Sequence, residues 1–292
     1  MFETLSRSYE YAKCSYRVIW DHKKLIIFPI LSGISLILVL ASFAIPIIVT
    51  GTGQSWLELA DGDNFSNAST ATHVAMWTTT FLFYFCNYFV IVFFNVGLTA
   101  CAMQVISGEP PQVGHGINIA LKRLPQILGW AFLSAIIGVI LKTIESSNEK
   151  AASFISAIIG MAWSALTFFV VPTLVIEGVG PIKGVKRSIA VLKDTWGTAL
   201  IGNFSMGWFG LLLMLPAIIL GAILIALGVT GDNGIIIVSG IGIIVAWACV
   251  VAIWSSAADV VFKAILYNYA TGKSLPEFVD QRSLNNAFRS RD

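Results

Sequence analysis

The chain has 292 residues, of which 57% are hydrophobic and 12% charged, with a formal net charge of +2. Soluble domains carry about a quarter charged residues, so this composition excludes a soluble globular protein and leaves no polar segment long enough for a separate soluble core. The apolar runs are continuous rather than alternating with period two, which excludes a membrane β-barrel.

Residues 1–24 read as an amphipathic N-terminal helix whose stripe is Leu5, Tyr9, Ala12, Tyr16 and Ile19. The polar start does not resemble a cleaved signal peptide. A helix needs about 20 apolar residues to cross a hydrocarbon core of about 30 Å. Six segments qualify: 25–49, 77–102, 124–141, 152–176, 199–227 and 234–261. The expected fold class is therefore all-α, a polytopic membrane helical bundle forming a single domain over residues 1–292. Pro46 and Pro216 fall inside these runs and predict kinks. Residues 50–76 form a polar, turn-rich loop long enough for a lid or a partner contact, and residues 262–292 read as a tail.

The cations assign a side to each loop. With the N-terminus inside, only Lys142 and Lys150 of the 18 Lys and Arg residues fall outside. The outer loops carry Glu58, Asp61, Asp63, Glu145, Glu149 and Asp232. This asymmetry predicts both termini in the cytoplasm and a basic inner face attracted to anionic headgroups.

Between the fourth and fifth spans lies VVPTLVIEGVGPIKGVKRSIAVLKDTWG, Val170 to Gly197. Gly178, Gly180 and Pro181 predict a turn, and Pro181 suits the first turn of a helix. The following stripe is Ile182, Val185, Ile189, Leu192 and Trp196, with Lys183, Lys186, Arg187 and Lys193 mostly off it. Such a helix is expected to lie in the headgroup plane. The N-terminal helix repeats it: Ser15 pairs with Ser188, Val18 with Val191, Ile19 with Leu192 and Asp21 with Asp194, giving S-x-x-V-[IL]-x-D. Ile117, Leu121, Leu124 and Leu128 make a weaker middle copy interrupted by Pro125. Three units of amphipathic helix plus transmembrane hairpin are the expected architecture. The basic residues Lys13, Arg17, Lys183, Lys186, Arg187 and Lys193 are the candidate lipid contacts.

The string PTLVIEGVGPIKGVKRSIAVLKDTWG, together with AILYNYATGKSLP near the C-terminus, resembles a family of prokaryotic six-span membrane proteins of unknown function. That family is similar to the membrane domain attached to some bacterial glycerophosphodiester phosphodiesterases. The resemblance implies a plasma-membrane location and lipid-related work. There is no room here for the phosphodiesterase catalytic barrel, so diester hydrolysis does not carry over.

Catalytic chemistry finds little support. His22, His73 and His115 are dispersed, and Cys14, Cys86, Cys101 and Cys249 contain no CxxC pair. No P-loop, dinucleotide fingerprint or nucleophile elbow occurs. The expectation is a protein without enzymatic activity, cofactor or metal.

Polar groups inside the spans are costly and hence functional candidates. They are Asn87, Asn95, Asn203 and Asp259, with Lys263 four residues beyond Asp259 on the same helical face. The asparagines fit helix-to-helix hydrogen bonding, and the Asp259–Lys263 spacing fits a stabilising ion pair, with an ion or proton site as the alternative. Two functions follow. The first is a non-enzymatic protein that binds or organises lipid or partner proteins at the cytoplasmic face. The alternative is a transporter or channel for a lipid, small solute or ion, built on repeated hairpins with Pro-broken spans. The expected partners are anionic membrane lipids, with a homo-oligomer or a protein partner also possible and nucleic acid excluded.

Overall fold

The computed structural model describes residues 14–50, 69–145 and 150–273, with side chains throughout except at 150–151 and 194–209. All regular structure among the described residues is helical. A helix over residues 14–21 (α1) and a 3-10 turn at Lys23–Ile26 lead into α2 (Ile27–Val49). Then come α3 (Thr70–Ile106), α4 (Val113–Lys122), α5 (Leu124–Glu145), α6 (Lys150–Leu166), α7 (Val170–Ile176), α8 (Pro181–Thr230) and α9 (Gly234–Ala270). Six stretches are long and apolar enough to cross a membrane: Lys23–Val49, Thr70–Ile106, Leu124–Glu145, Ala152–Ile176, Gly210–Thr230 and Gly234–Ala270.

The described residues pack as two units. One is drawn from Met1–Pro29, Leu98–Val113 and Val191–Asp292, the other from Ile30–Gly97 and Gly114–Ala190. In the second unit, Val92, Val96, Ala120, Ile127, Trp130, Val170 and Leu174 form a buried apolar cluster. Trp130 and Trp163 stack almost parallel across it with centroids 5.8 Å apart, an arrangement that adds about 0.5–1.5 kcal/mol beyond area burial. Tyr84 and Tyr88 lie against Gly138, where a Cβ would come within 3.1 Å of the Tyr84 ring. In the first unit, α8 and α9 pack through Gly221 and Gly240, each of whose missing Cβ would approach the other's carbonyl oxygen at 2.8–2.9 Å. Small residues let helices approach closely where lipid supplies no hydrophobic drive to association.

Glycines with positive φ end three of the helices. Gly108, Gly178 and Gly272 have φ of 81°, 65° and 69°, and each terminates the second helix of a hairpin. Gly adopts this left-handed conformation without a Cβ penalty. After α3, Glu109 N–H bonds to Gln104 O at 2.8 Å; after α9, Lys273 N–H bonds to Asn268 O at 2.9 Å. Both are Schellman closures. A Pro follows each Gly within four residues, so the turn recurs three times.

Several boundaries differ from expectation. Helix α8 is continuous over 50 residues, about 75 Å at 1.5 Å per residue, so the basic helix and the fifth span are one element. Helix α9 runs on through residues 262–270, and Phe262, Leu266 and Tyr267 there are buried rather than part of a tail. Helix α3 begins at Thr70, inside the expected loop. The chain stays helical through Pro46 and Pro216. It breaks instead at 167–169, within the fourth span. Pro172 explains the position: its ring disfavours a helical carbonyl at Phe168, four residues earlier, while the first turn of α7 tolerates it.

The burial pattern revises the amphipathic stripe. On α8, Ile182 is 67% exposed, while Gly184, Ser188, Val191 and Leu192 are buried. The docked face of this helix is thus its small-residue face, rotated from the Ile182–Val185–Ile189 stripe. On α1 the described stripe residues Tyr16 and Ile19 are buried, together with Ser15 and Val18, while Arg17 and Trp20 are exposed. On α4 it is Gly116 and Ala120 that are buried, while Leu121 is exposed.

Candidate functional site

The break in the fourth span creates a local hydrogen-bonding problem. An unsatisfied backbone group in hydrocarbon costs several kcal/mol. Ser188, from the first turns of α8, resolves it by accepting from the Phe169 N–H at 3.0 Å. Thr173 donates its hydroxyl to Phe169 O at 2.7 Å. At the other end of α7 the last carbonyls are covered by side chains from the α4–α5 junction. Arg123 Nη2 donates to Val175 O at 3.4 Å, and Gln126 Nε2 donates to Gly178 O at 3.2 Å. A guanidinium at a helix C-terminus also complements the negative end of the helix dipole. A Cβ at Gly178 would run into that guanidinium and displace it.

The basic helix is therefore fixed by its neutral face, and its cations stand on the outside. Lys183, Lys186 and Lys193 are exposed. Arg187 is different: its Nε donates to Glu177 Oε1 at 2.7 Å, with side-chain exposures of 44% and 29%. Part of its charge is thus neutralised within the turn. Lys183 and Lys186 present theirs outward.

A second polar group gathers in the other unit. Tyr16 Oη and Ser255 Oγ share a hydrogen bond of 2.7 Å. A Cβ on Gly210 would lie 3.3 Å from the same Ser255 oxygen, so α1, α8 and α9 meet at this hydroxyl. Burial raises the Tyr16 phenol above its ordinary value; the Ser255 hydrogen bond opposes this, and the negative charge of Asp259 adds to it. Asp259 Oδ2 accepts from Lys263 Nζ at 2.7 Å, with exposures of 31% and 26%. One turn away, Trp20 packs against Trp254 in a tilted contact with centroids 5.6 Å apart, and Lys23 Nζ lies 5.2 Å from the Trp20 ring centroid. Twenty residues separate Gly234 from Trp254, a rise of about 30 Å along α9.

Asn87 Nδ2 bonds to Phe83 O of its own helix at 2.7 Å. Asn95 is half-buried. Both belong to the second packing unit, whereas Asn203, Asp259 and Lys263 belong to the first. The Asn203 side chain and Lys13 lie outside what is described; Arg17 is exposed on α1. Among the described residues, no three His, Cys, Asp or Glu side chains come together as metal ligands.

Residues 74–275 match DUF6159, a family of unknown function. The chain belongs to that family. The match covers all three glycine turns and, from residue 74 onward, the last five apolar helices. No curated protein and no solved structure matches the chain.

Proposed function

We propose that this DUF6159 protein is a non-enzymatic, multi-pass membrane protein that binds anionic phospholipid at its basic face and organises lipid or partner proteins there. That face is cytoplasmic in this reading, both termini lie on the same side, and the membrane is a prokaryotic plasma membrane. The observation that carries the reading is the docking of α8. Its Gly184–Ser188 face is spent on protein contacts, so Lys183 and Lys186 are held outward at the boundary of the spans. A lysine near an anionic surface contributes about 1 kcal/mol to binding. The likeness to membrane domains carried by glycerophosphodiester phosphodiesterases, through the PTLVIEGVGPIKGVKRS string, also favours lipid-related work.

Transport is the competing reading, and the interrupted fourth span is what favours it, since discontinuous helices commonly form substrate sites. Against it, the freed N–H of Phe169 is already taken by Ser188, and the neighbouring cluster is apolar and buried. Proteoliposomes loaded to report ion flux and movement of labelled phospholipid separate the two. Tight, inactive vesicles are expected; protein-dependent flux that is lost in Asp259→Asn would instead establish a pathway.

A further inference from the structure

The hairpin of α8 and α9 contains a groove of about 380 Å³ between Pro216 and Leu220 on one helix and Ile243, Ala246, Trp247 and Val250 on the other. Its shape follows from Pro216. With no N–H at that position, the Leu212 carbonyl loses its helical partner, and the ring loosens the turn beneath it. The adjacent carbonyl of Leu213 accepts the Trp247 indole N–H at 2.8 Å. Indole has a single donor, so this bond leaves Trp247 no polar function to offer a ligand. The walls present hydrocarbon alone. Ala246, Trp247 and Val250 are nonetheless exposed at the groove rather than packed within the protein.

Basic residues stand further along, beside the same stripe of α9. Ile243, Trp247, Val250 and Trp254 follow one another at spacings of four, three and four residues, one stripe along α9. Trp254 carries the Trp20 ring, and Lys23 stands over that ring with Lys24 beside it in sequence, both exposed. From Trp247 to Trp254 the helix rises by about 10 Å. The apolar groove and the indole pair with its neighbouring cations thus lie along one stripe of α9. That is the chemistry of one amphiphile: a hydrocarbon chain, a glycerol backbone at the depth of the Trp rings, and a phosphate.

We infer that this groove holds one acyl chain of an anionic phospholipid whose phosphate is bound by Lys23 and Lys24. The inference rests on the lipid-binding reading above but assigns a separate site, on the other packing unit from Lys183 and Lys186. The phospholipid lies along α9, with Trp20 and Trp254 separating its chain from the water.

Native mass spectrometry of the purified full chain, with phosphatidylglycerol or phosphatidylcholine added, tests it. Ala246→Trp fills the groove from its open side and is expected to remove one retained lipid of either headgroup, while Ala252→Trp, on another exposed face of α9, retains it. The Lys23→Gln, Lys24→Gln double variant is expected to lose preference for phosphatidylglycerol by about fivefold per charge, with phosphatidylcholine unchanged. Unchanged stoichiometry in Ala246→Trp, equal losses in both Trp variants, or unchanged headgroup preference in the double Gln variant each overturns the site. If Lys183→Gln, Lys186→Gln loses anionic lipid while these variants do not, the groove is wrong and the broader reading stands. If no variant changes retention, both fail.

Discussion

The hydroxyl of Ser188 accepts the Phe169 backbone N–H at 3.0 Å, joining the first turns of the basic helix to the break in the fourth span. Both residues are buried. One side chain thus closes a gap in the transmembrane backbone and sets which face of α8 turns outward. Ser188→Ala strands the N–H and is expected to cost about 1–3 kcal/mol. Ile182→Ala, at an exposed position, should stay within about 0.5 kcal/mol. Thermal unfolding in detergent compares the two, and equal effects would contradict the assignment.

The three turn glycines are not equivalent. Gly108→Ala and Gly272→Ala add a Cβ into open space and face only the left-handed backbone, at about 1 kcal/mol each. Gly178→Ala must also displace the Arg123 guanidinium from the end of α7. It should be the most destabilising of the three by melting temperature.

The α8–α9 contact makes a similar comparison available. Gly240→Ala forces a Cβ against the Gly221 carbonyl and should destabilise by about 1–3 kcal/mol. Gly242→Ala, two residues on, meets nothing within 4 Å and should be neutral or mildly stabilising. Unfolding midpoints of the two variants decide the matter.

Tyr16 gives a pH dependence. Its folded pKa lies above the unfolded value of about 10, so its contribution is intact below pH 10 and declines as pH rises toward the folded pKa, because the unfolded chain ionises first. Tyr16→Phe should remove this part of the alkaline loss, and Asp259→Asn should lower the Tyr16 pKa. An ultraviolet titration of tyrosinate, with melting curves from pH 9 to 12, reads both.

The spans were legible because hydropathy over about 20 residues needs no knowledge of packing. The S-x-x-V-[IL] positions are buried on both α1 and α8. The docked face was misread because Gly184 and Ser188 carry no hydrophobic signal, whereas in a membrane small residues are what permit close approach. Pro172 sits near the end of an apolar run and looks like a terminator; only the packing of Ser188 against Phe169 reveals that it marks an interruption. Arg123 and Gln126 reach the end of α7 across 52 residues of sequence, a contact that no local pattern encodes.

The Glu177–Arg187 pair divides the basic cluster into unequal members. Glu177→Gln removes this carboxylate from Arg187 and is expected to strengthen binding to anionic vesicles, while Arg187→Gln should weaken it less than Lys186→Gln does. Its effect on folding should be small, about 0–1 kcal/mol, as for other exposed pairs. Vesicle co-sedimentation across salt concentrations orders the three variants.

The most direct test is retention of phosphatidylglycerol by the purified full chain in native mass spectra, wild type against the Lys183→Gln, Lys186→Gln, Arg187→Gln variant. The account predicts weaker retention in the variant, by about fivefold for each outward charge removed, with phosphatidylcholine unaffected. Identical retention of phosphatidylglycerol by the two proteins would contradict it.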